Sequence, residues 1–206
     1  MLLASAICSC SEKQPETTEP MITKTEIQVE NGLLTPEIMH RLGKVGDVQV
    51  SPNHAKILYG VSYTSIEQNK GNRELYLMNV DGSENVKITN TPKSESNARW
   101  INDSQIIYMR SGKLYTATIE GATLKNETEV AGAEGMESFE LSPAGDKLMF
   151  IKSVKAAQKP TDIYPDLAKS SGRTYTDLMY RHWDHFVEEV PHTYVATFDG
   201  KQVSGI

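Results

Sequence analysis

Two histidines and a glutamate near the C-terminal end have the spacing that a helix would bring to one face. His182 and His185 are three residues apart, and Glu189 follows four residues later. Residues at these offsets lie above one another on a helix, and imidazole and carboxylate groups are metal ligands. An amphipathic helix with solvated charges has the same spacing, and a single helix offers no further ligands. We therefore predict neither a metal ion nor a cofactor.

The sequence contains no arrangement that predicts a catalytic nucleophile. A serine nucleophile on a strand-to-helix turn requires Gly-x-Ser-x-Gly, and this string does not occur in the 206 residues. Glu134, Glu137 and Glu140 form an acidic run that could bind the free amine of a peptide, although a solvated loop has the same composition. We assign no catalytic residue to this chain.

The composition is that of a folded, acidic protein. Apolar residues make up 38% and charged residues 23%, and the formal net charge is −6. A protein that binds a phosphate backbone needs a concentrated basic stripe, so we predict no nucleic-acid partner. The two cysteines are Cys8 and Cys10, which leaves no disulfide framework or zinc site for the rest of the chain.

Residues 1–20 have the composition of a lipoprotein-type signal remnant followed by a tether. An apolar run of small residues leads to Cys8 and Cys10, and a polar stretch with two prolines follows. An export signal normally has a basic leader and a longer apolar region, so a frayed N-terminus is the alternative. We predict lipid attachment at Cys10, or else at Cys8. The protein would then be exported, as a periplasmic or membrane-anchored bacterial lipoprotein.

One pattern of strands and turns occurs three times, at 48–59, 98–108 and 139–150. Each copy has an apolar strand, a tight polar turn and a second apolar strand. An aromatic strand and a turn with an acidic residue and glycine follow. Repetition at this period is typical of β-propeller blades, which must pack on one another to bury both faces. We predict an all-β fold: a lead-in with a short helix at 21–46, then a partial β-propeller of about three four-stranded blades at 47–206.

The third copy is interrupted by a segment, residues 155–192, that resembles no part of a blade. Residues 175–187 have helical spacing of apolar residues, so we predict a helical insertion in the third blade. Within it, Arg181, His182, Trp183 and Asp184 could face substrate or a neighbouring domain. The alternative is that Trp183 holds the insertion against the third blade.

Three stretches resemble the bacterial prolyl-oligopeptidase-like serine peptidases, in the branch of dipeptidyl peptidases and acylaminoacyl-peptidases. They are 46–52, 67–76 and the more specific Met-Tyr-Arg-His-Trp-Asp run that ends at Asp184. The resemblance covers about residues 33 to 206. It implies an N-terminal propeller that restricts entry to peptides, and a C-terminal α/β-hydrolase domain with a Ser-Asp-His triad.

The hydrolase domain is missing from these 206 residues. We therefore interpret the chain as the substrate-gating propeller part, from the front of a longer exported serine exopeptidase that acts on peptides. It would be inactive alone, and peptide would bind together with the hydrolase domain. The alternative is a non-catalytic, lipid-anchored propeller, similar to the TolB-like periplasmic propellers, that binds a protein or glycan.

Overall fold

The computed structural model describes residues 21–156, 158–172, 184 and 187–205. Twelve strands form three four-stranded antiparallel sheets, which confirm the all-β fold and the three predicted blades. Among the described residues, no helix is long and apolar enough to cross a membrane. A short helix, α1 (Pro36–Arg41), precedes the first sheet, and Thr35 caps it by accepting a hydrogen bond from the Ile38 N–H.

The strands follow one another through each blade in chain order. Blade one contains β1 (Lys44–Val50), β2 (Lys56–Ser65), β3 (Lys70–Asn79) and β4 (Val86–Lys87). Blade two contains β5 (Glu95–Trp100), β6 (Gln105–Arg110), β7 (Lys113–Glu120) and β8 (Thr123–Glu129). Blade three contains β9 (Ser138–Leu141), β10 (Lys147–Lys155), β11 (Glu189–Phe198) and β12 (Val203–Ser204). Neighbouring strands in each sheet are consecutive in sequence, as a meander of hairpins requires.

The repeated Ser-Pro turns share one hydrogen-bond pattern. The Ser51 hydroxyl accepts from the Lys56 N–H at 2.9 Å, and the Ser142 hydroxyl accepts from the Lys147 N–H at 3.0 Å. Each serine thus ties the turn to the first residue of the second strand. This explains why serine, and not only the turn-forming proline, recurs in the sequence.

Each blade also contains one stacked pair of aromatic rings across its second and third strands. The pairs are Tyr59–Tyr76, Tyr108–Tyr115 and Phe150–Tyr194, with ring centroids 5.6, 6.0 and 5.4 Å apart. In every pair the two residues lie directly opposite each other in the strand register. Cross-strand aromatic pairs stabilise a sheet by roughly 0.2–1 kcal/mol each.

Blade two is buried on both faces, so the structure has two cores. Ile106 and Tyr108 pack with Leu58 and Leu77 of blade one. On the opposite face, Ile107 packs with residues of blade three, among them Leu148 and Phe150. A strand with two buried faces loses the polar alternation of an exposed strand, which explains the continuous apolar run in β6.

The insertion of blade three is shorter than the predicted 155–192. Val190 and Pro191 pair with Val154 and Ser153, so the hairpin of β10 and β11 continues outward and the connecting segment is 156–188. A proline is tolerated where a strand has no partner on its other side, and β12 pairs only with Thr197 and Phe198. The connection contains one described helix, α2 (Pro160–Ile163). Most of the helix predicted at 175–187 lies outside the described residues.

Candidate functional site

Two carboxyl groups are buried where blade one meets blade two. Glu74 lies in β3 and Glu95 begins β5, and their exposed fractions are 2% and 0%. Glu74 accepts hydrogen bonds from the Thr89 hydroxyl at 2.7 Å, the Thr91 N–H at 3.1 Å and the Asn72 amide at 3.2 Å. Three donors satisfy a carboxylate, so Glu74 can be charged although it is buried.

Glu95 has a different environment. Its Oε1 lies 2.7 Å from the Thr91 hydroxyl and 3.8 Å from the Arg110 guanidinium, and no described residue forms a hydrogen bond with its Oε2. Burial raises the pKa of Glu95 to about 7, and the charge of Glu74 acts in the same direction. Glu95 is therefore a buried acid that titrates near neutral pH.

Arg110 connects this acid to the outer part of blade two. Its guanidinium forms two hydrogen bonds with Glu127 and lies 4.4 Å from the centre of the Tyr115 ring. The Tyr108 hydroxyl also donates to Glu127. Burial opposes ionisation of Glu127, but the hydrogen bonds from Arg110 and Tyr108 outweigh it and lower its pKa. The positive charge of Arg110 is thus largely balanced by Glu127.

The first strands of the three blades are linked by a chain of polar contacts. Arg73 forms an ion pair with Asp47 at 3.0 Å, and Asp47 accepts a hydrogen bond from the Asn97 N–H at 3.2 Å. The Asn97 side-chain amide donates to the Phe139 carbonyl at 2.8 Å. Asp47 and Asn97 have φ angles of 51° and 53° and lie where the strand register shifts. These two bulges turn one residue of blade one toward blade two and one residue of blade two toward blade three.

A groove of about 270 Å³ crosses the first strands of all three blades. Two of its lining residues form a pair: Arg99 of β5 donates two hydrogen bonds to Glu140 of β9, at 2.9 and 2.6 Å. The Trp100 indole N–H donates to the Gln49 carbonyl of β1 at 3.3 Å. Hydrogen bonds from Arg99 lower the pKa of Glu140. Ser142 also lines the groove, and its hydroxyl donates to the Asp146 carboxylate at 2.9 Å while it accepts from the Lys147 N–H of the turn.

Most of the residues predicted for a functional site lie outside the described part of the chain. Cys10, Arg181, His182 and Trp183 are among them, and Asp184 is described as an exposed turn residue. The interdomain, substrate-facing and lipid-attachment roles therefore stay predictions.

The acidic run separates in the structure. Glu140 binds Arg99, Glu137 accepts a hydrogen bond from the Ser153 N–H at 3.0 Å, and Glu134 is exposed in the connection between blades two and three. Of the suggested metal ligands, Glu189 begins β11, and His182 and His185 lie outside the described residues. The residues that the structure describes contain no group of three possible metal ligands.

Both ends of the insertion are held at its base. Lys155 binds Asp162, and Lys159 lies 2.7 Å from Glu188. The Ala156 N–H donates to the Glu188 carbonyl at 2.9 Å, which extends the hairpin by one further pair. The residues that enter and leave the insertion are thus fixed relative to blade three.

Four residues of these polar sites, Glu74, Glu95, Arg99 and Arg110, were not predicted from the sequence. A signal for Glu74 was present, because the alternation of β3 places it on the same face as Tyr76. The others could not be found, since their partners lie in other strands or blades.

Comparison with known proteins identifies the relatives of this fold. No family model matches the chain. Dipeptidyl-peptidase 5 of Porphyromonas gingivalis is 35% identical over 176 residues, and its counterpart in Porphyromonas endodontalis is 34% identical over 178. The predicted resemblance to the dipeptidyl-peptidase branch is confirmed. Each alignment covers 84% of this chain and 26% of the relative, so the chain spans about a quarter of the length of these peptidases.

Solved structures agree on the fold. The acylaminoacyl peptidase of Pyrococcus horikoshii matches 80% of this chain with a TM-score of 0.56, at 15% sequence identity and over 25% of its own length. An acylaminoacyl peptidase in complex with Z-Gly-Gly-Phe-chloromethyl ketone matches with a TM-score of 0.55. The solved structures show the fold, and together with the two dipeptidyl-peptidase relatives they make the chain a peptidase-related β-propeller portion.

Proposed function

We propose that these blades are the substrate-gating part of a serine exopeptidase that releases dipeptides or acylated residues from peptides. The observation that carries the proposal is the 35% identity to dipeptidyl-peptidase 5 over 84% of the chain. The complex of an acylaminoacyl peptidase with Z-Gly-Gly-Phe-chloromethyl ketone supports a peptide as the substrate of the whole protein. In this proposal the nucleophile, base and orienting acid belong to an α/β-hydrolase domain.

The blades would act by their shape and rigidity. Two apolar cores and the polar contacts of Asp47, Asn97 and Arg99 hold the first strands of three blades together. A wall with fixed blades limits the size of a peptide that can pass to an enclosed active site, whereas loosely joined blades would let larger chains enter.

The insertion of blade three is the part that we propose to meet the hydrolase domain or substrate. Lys159 and Glu188 fix its base, and Arg181, His182, Trp183 and Asp184 follow in its second half. In the complete peptidase, Trp183→Ala should lower kcat/KM if the tryptophan contacts substrate or the hydrolase domain. A lower melting temperature with unchanged kcat and KM would show that it only holds the insertion on the blade.

The test of gating is an exchange of segments. Residues 21–206 replace the matching segment of the Porphyromonas gingivalis dipeptidyl-peptidase 5, and hydrolysis of a chromogenic dipeptide amide is measured. We expect the exchanged peptidase to stay active, and a matched exchange with three blades of an unrelated propeller to be inactive. A folded but inactive exchange with the present blades would contradict the proposal. The 206-residue chain alone should not hydrolyse the amide.

We also propose that the protein is exported and attached to a membrane lipid through Cys10. The support is the apolar run of small residues before Cys10 and the polar stretch after it. Metabolic labelling with a fatty acid in a bacterial host should label the parent protein and Cys8→Ser, but not Cys10→Ser. Equal labelling of Cys10→Ser and the parent would refute attachment at this residue.

A further inference from the structure

The Thr91 hydroxyl lies at the junction of blades one and two. Two acceptor atoms lie within hydrogen-bond distance of it, but it has only one proton to donate. It lies 2.6 Å from the Lys93 carbonyl oxygen and 2.7 Å from Glu95 Oε1, and it accepts from the Lys93 N–H at 3.2 Å. A hydroxyl has one proton to donate, and a carbonyl oxygen can only accept. When the Thr91 proton is donated to the carbonyl, the proton in the 2.7 Å contact must come from Glu95.

The charges around Glu95 lead to the same assignment. Glu74 faces it from β3 and accepts three hydrogen bonds, which is the pattern of a carboxylate. Arg110 faces it from β6 but is already paired with Glu127 of β8, to which Tyr108 also donates. An ionised Glu95 would be a second carboxylate near the Arg110 guanidinium, beside Glu127, and it has no exposure to water.

We propose that Glu95 is a neutral carboxylic acid that donates its proton to Thr91 Oγ1, and that loss of this proton loosens the junction of blades one and two. When the proton leaves to solvent, the single Thr91 proton can serve the Lys93 carbonyl or the new carboxylate, but not both. One acceptor loses its donor, and Glu95 becomes a second buried charge beside Glu74. The Thr91 carbonyl also accepts a hydrogen bond from the Asn72 side chain of blade one at 2.8 Å. A change in the position of Thr91 would therefore alter contacts in both blades.

The direction of the pH effect follows from the raised pKa. The contribution of Glu95 to stability is fully present below its unfolded pKa of 4.5 and is lost as the pH rises through about 7. Between pH 5.5 and pH 8.5, these two values predict an increase of about 30-fold in the unfolding equilibrium constant from this one group. This device does not depend on the peptidase function.

The experiment is urea unfolding of the full chain at pH 5.5 and pH 8.5. A Trp183→Phe background leaves Trp100 as the single tryptophan, and its indole bonds to Gln49 across the same junction. Glu95→Gln keeps the shape of the neutral acid but cannot ionise, so the increase of about 30-fold between the two pH values should disappear. The matched control is Glu140→Gln, because Arg99 keeps the Glu140 carboxylate ionised at both pH values and the increase should persist.

An unchanged pH dependence in Glu95→Gln would overturn the proposal. The second measurement needs no folded variant: the parent protein is labelled with ¹³C at the glutamate carboxyls, and the Glu95 resonance is followed with pH. We expect a midpoint near 7. A midpoint below 5 would show that Glu95 is ionised in the folded protein at neutral pH and would refute the proposal.

Discussion

The contact between Gly132 and blade three gives the most sharply defined stability prediction. Gly132 follows blade two and has a φ of +75°, and a Cβ built on it would lie 2.4 Å from the Val203 carbonyl oxygen. On either side of this contact, the Ala131 N–H donates to the Lys201 carbonyl at 3.0 Å and the Val203 N–H donates to the Ala131 carbonyl at 2.8 Å. The glycine therefore lets the outer strand of blade three pair with the end of blade two.

Gly132→Ala should cost about 3 kcal/mol of unfolding free energy. Alanine at a left-handed φ costs about 1 kcal/mol, and each of the two hydrogen bonds that must separate contributes about 1 kcal/mol. The matched control is Gly112→Ala, because Gly112 has a φ of +72° but nothing within 4 Å of a Cβ. That variant should lose only the backbone part, about 1 kcal/mol. Urea unfolding followed by circular dichroism measures both, and equal losses in the two variants would refute the reasoning.

Two further predictions concern the surfaces of the blades. Arg99→Lys should destabilise the chain by about 1 kcal/mol, because lysine cannot reproduce the double hydrogen bond to Glu140, and the loss should be absent when Glu140 is already glutamine. The outer face of blade three exposes Met149, Ile151 and Val195, the last by 57%, so the isolated chain should self-associate through this face. Sedimentation should show a smaller average mass for Val195→Lys than for the parent, and a parent that sediments as a single monomer would contradict this.

The repeated elements could be predicted because their signals are local. The Asp81-Gly82 turn closes β3 and β4 as expected, and Gly82 has the positive φ that this turn needs. The aromatic residues Tyr59 and Tyr108 recur at one position of the repeated pattern, and both are buried in the structure. A pattern that lies within a few residues can be recognised in a single sequence because it does not depend on which residues the neighbouring blade supplies.

The polar junctions could not be predicted, since each depends on pairs far apart in sequence. Arg99 and Glu140 are 41 residues apart, and Asn97 and Phe139 are 42 apart. Strand alternation assigns a residue to a face, but it does not show which blade covers that face. The same limit explains why the predicted insertion, 155–192, was too long: the pairing of Val190 and Pro191 with β10 is not visible in the sequence.

The central claim, that the blades restrict entry to an enclosed active site, is tested most directly by the size dependence of cleavage. The exchanged peptidase, with residues 21–206 in place of its own matching segment, is given peptides of increasing length that share one N-terminal sequence, and kcat/KM is measured for each. We predict efficient cleavage of short peptides and a steep fall for an unfolded protein with the same N-terminus. Equal kcat/KM for the short peptides and the unfolded protein would contradict a gating role.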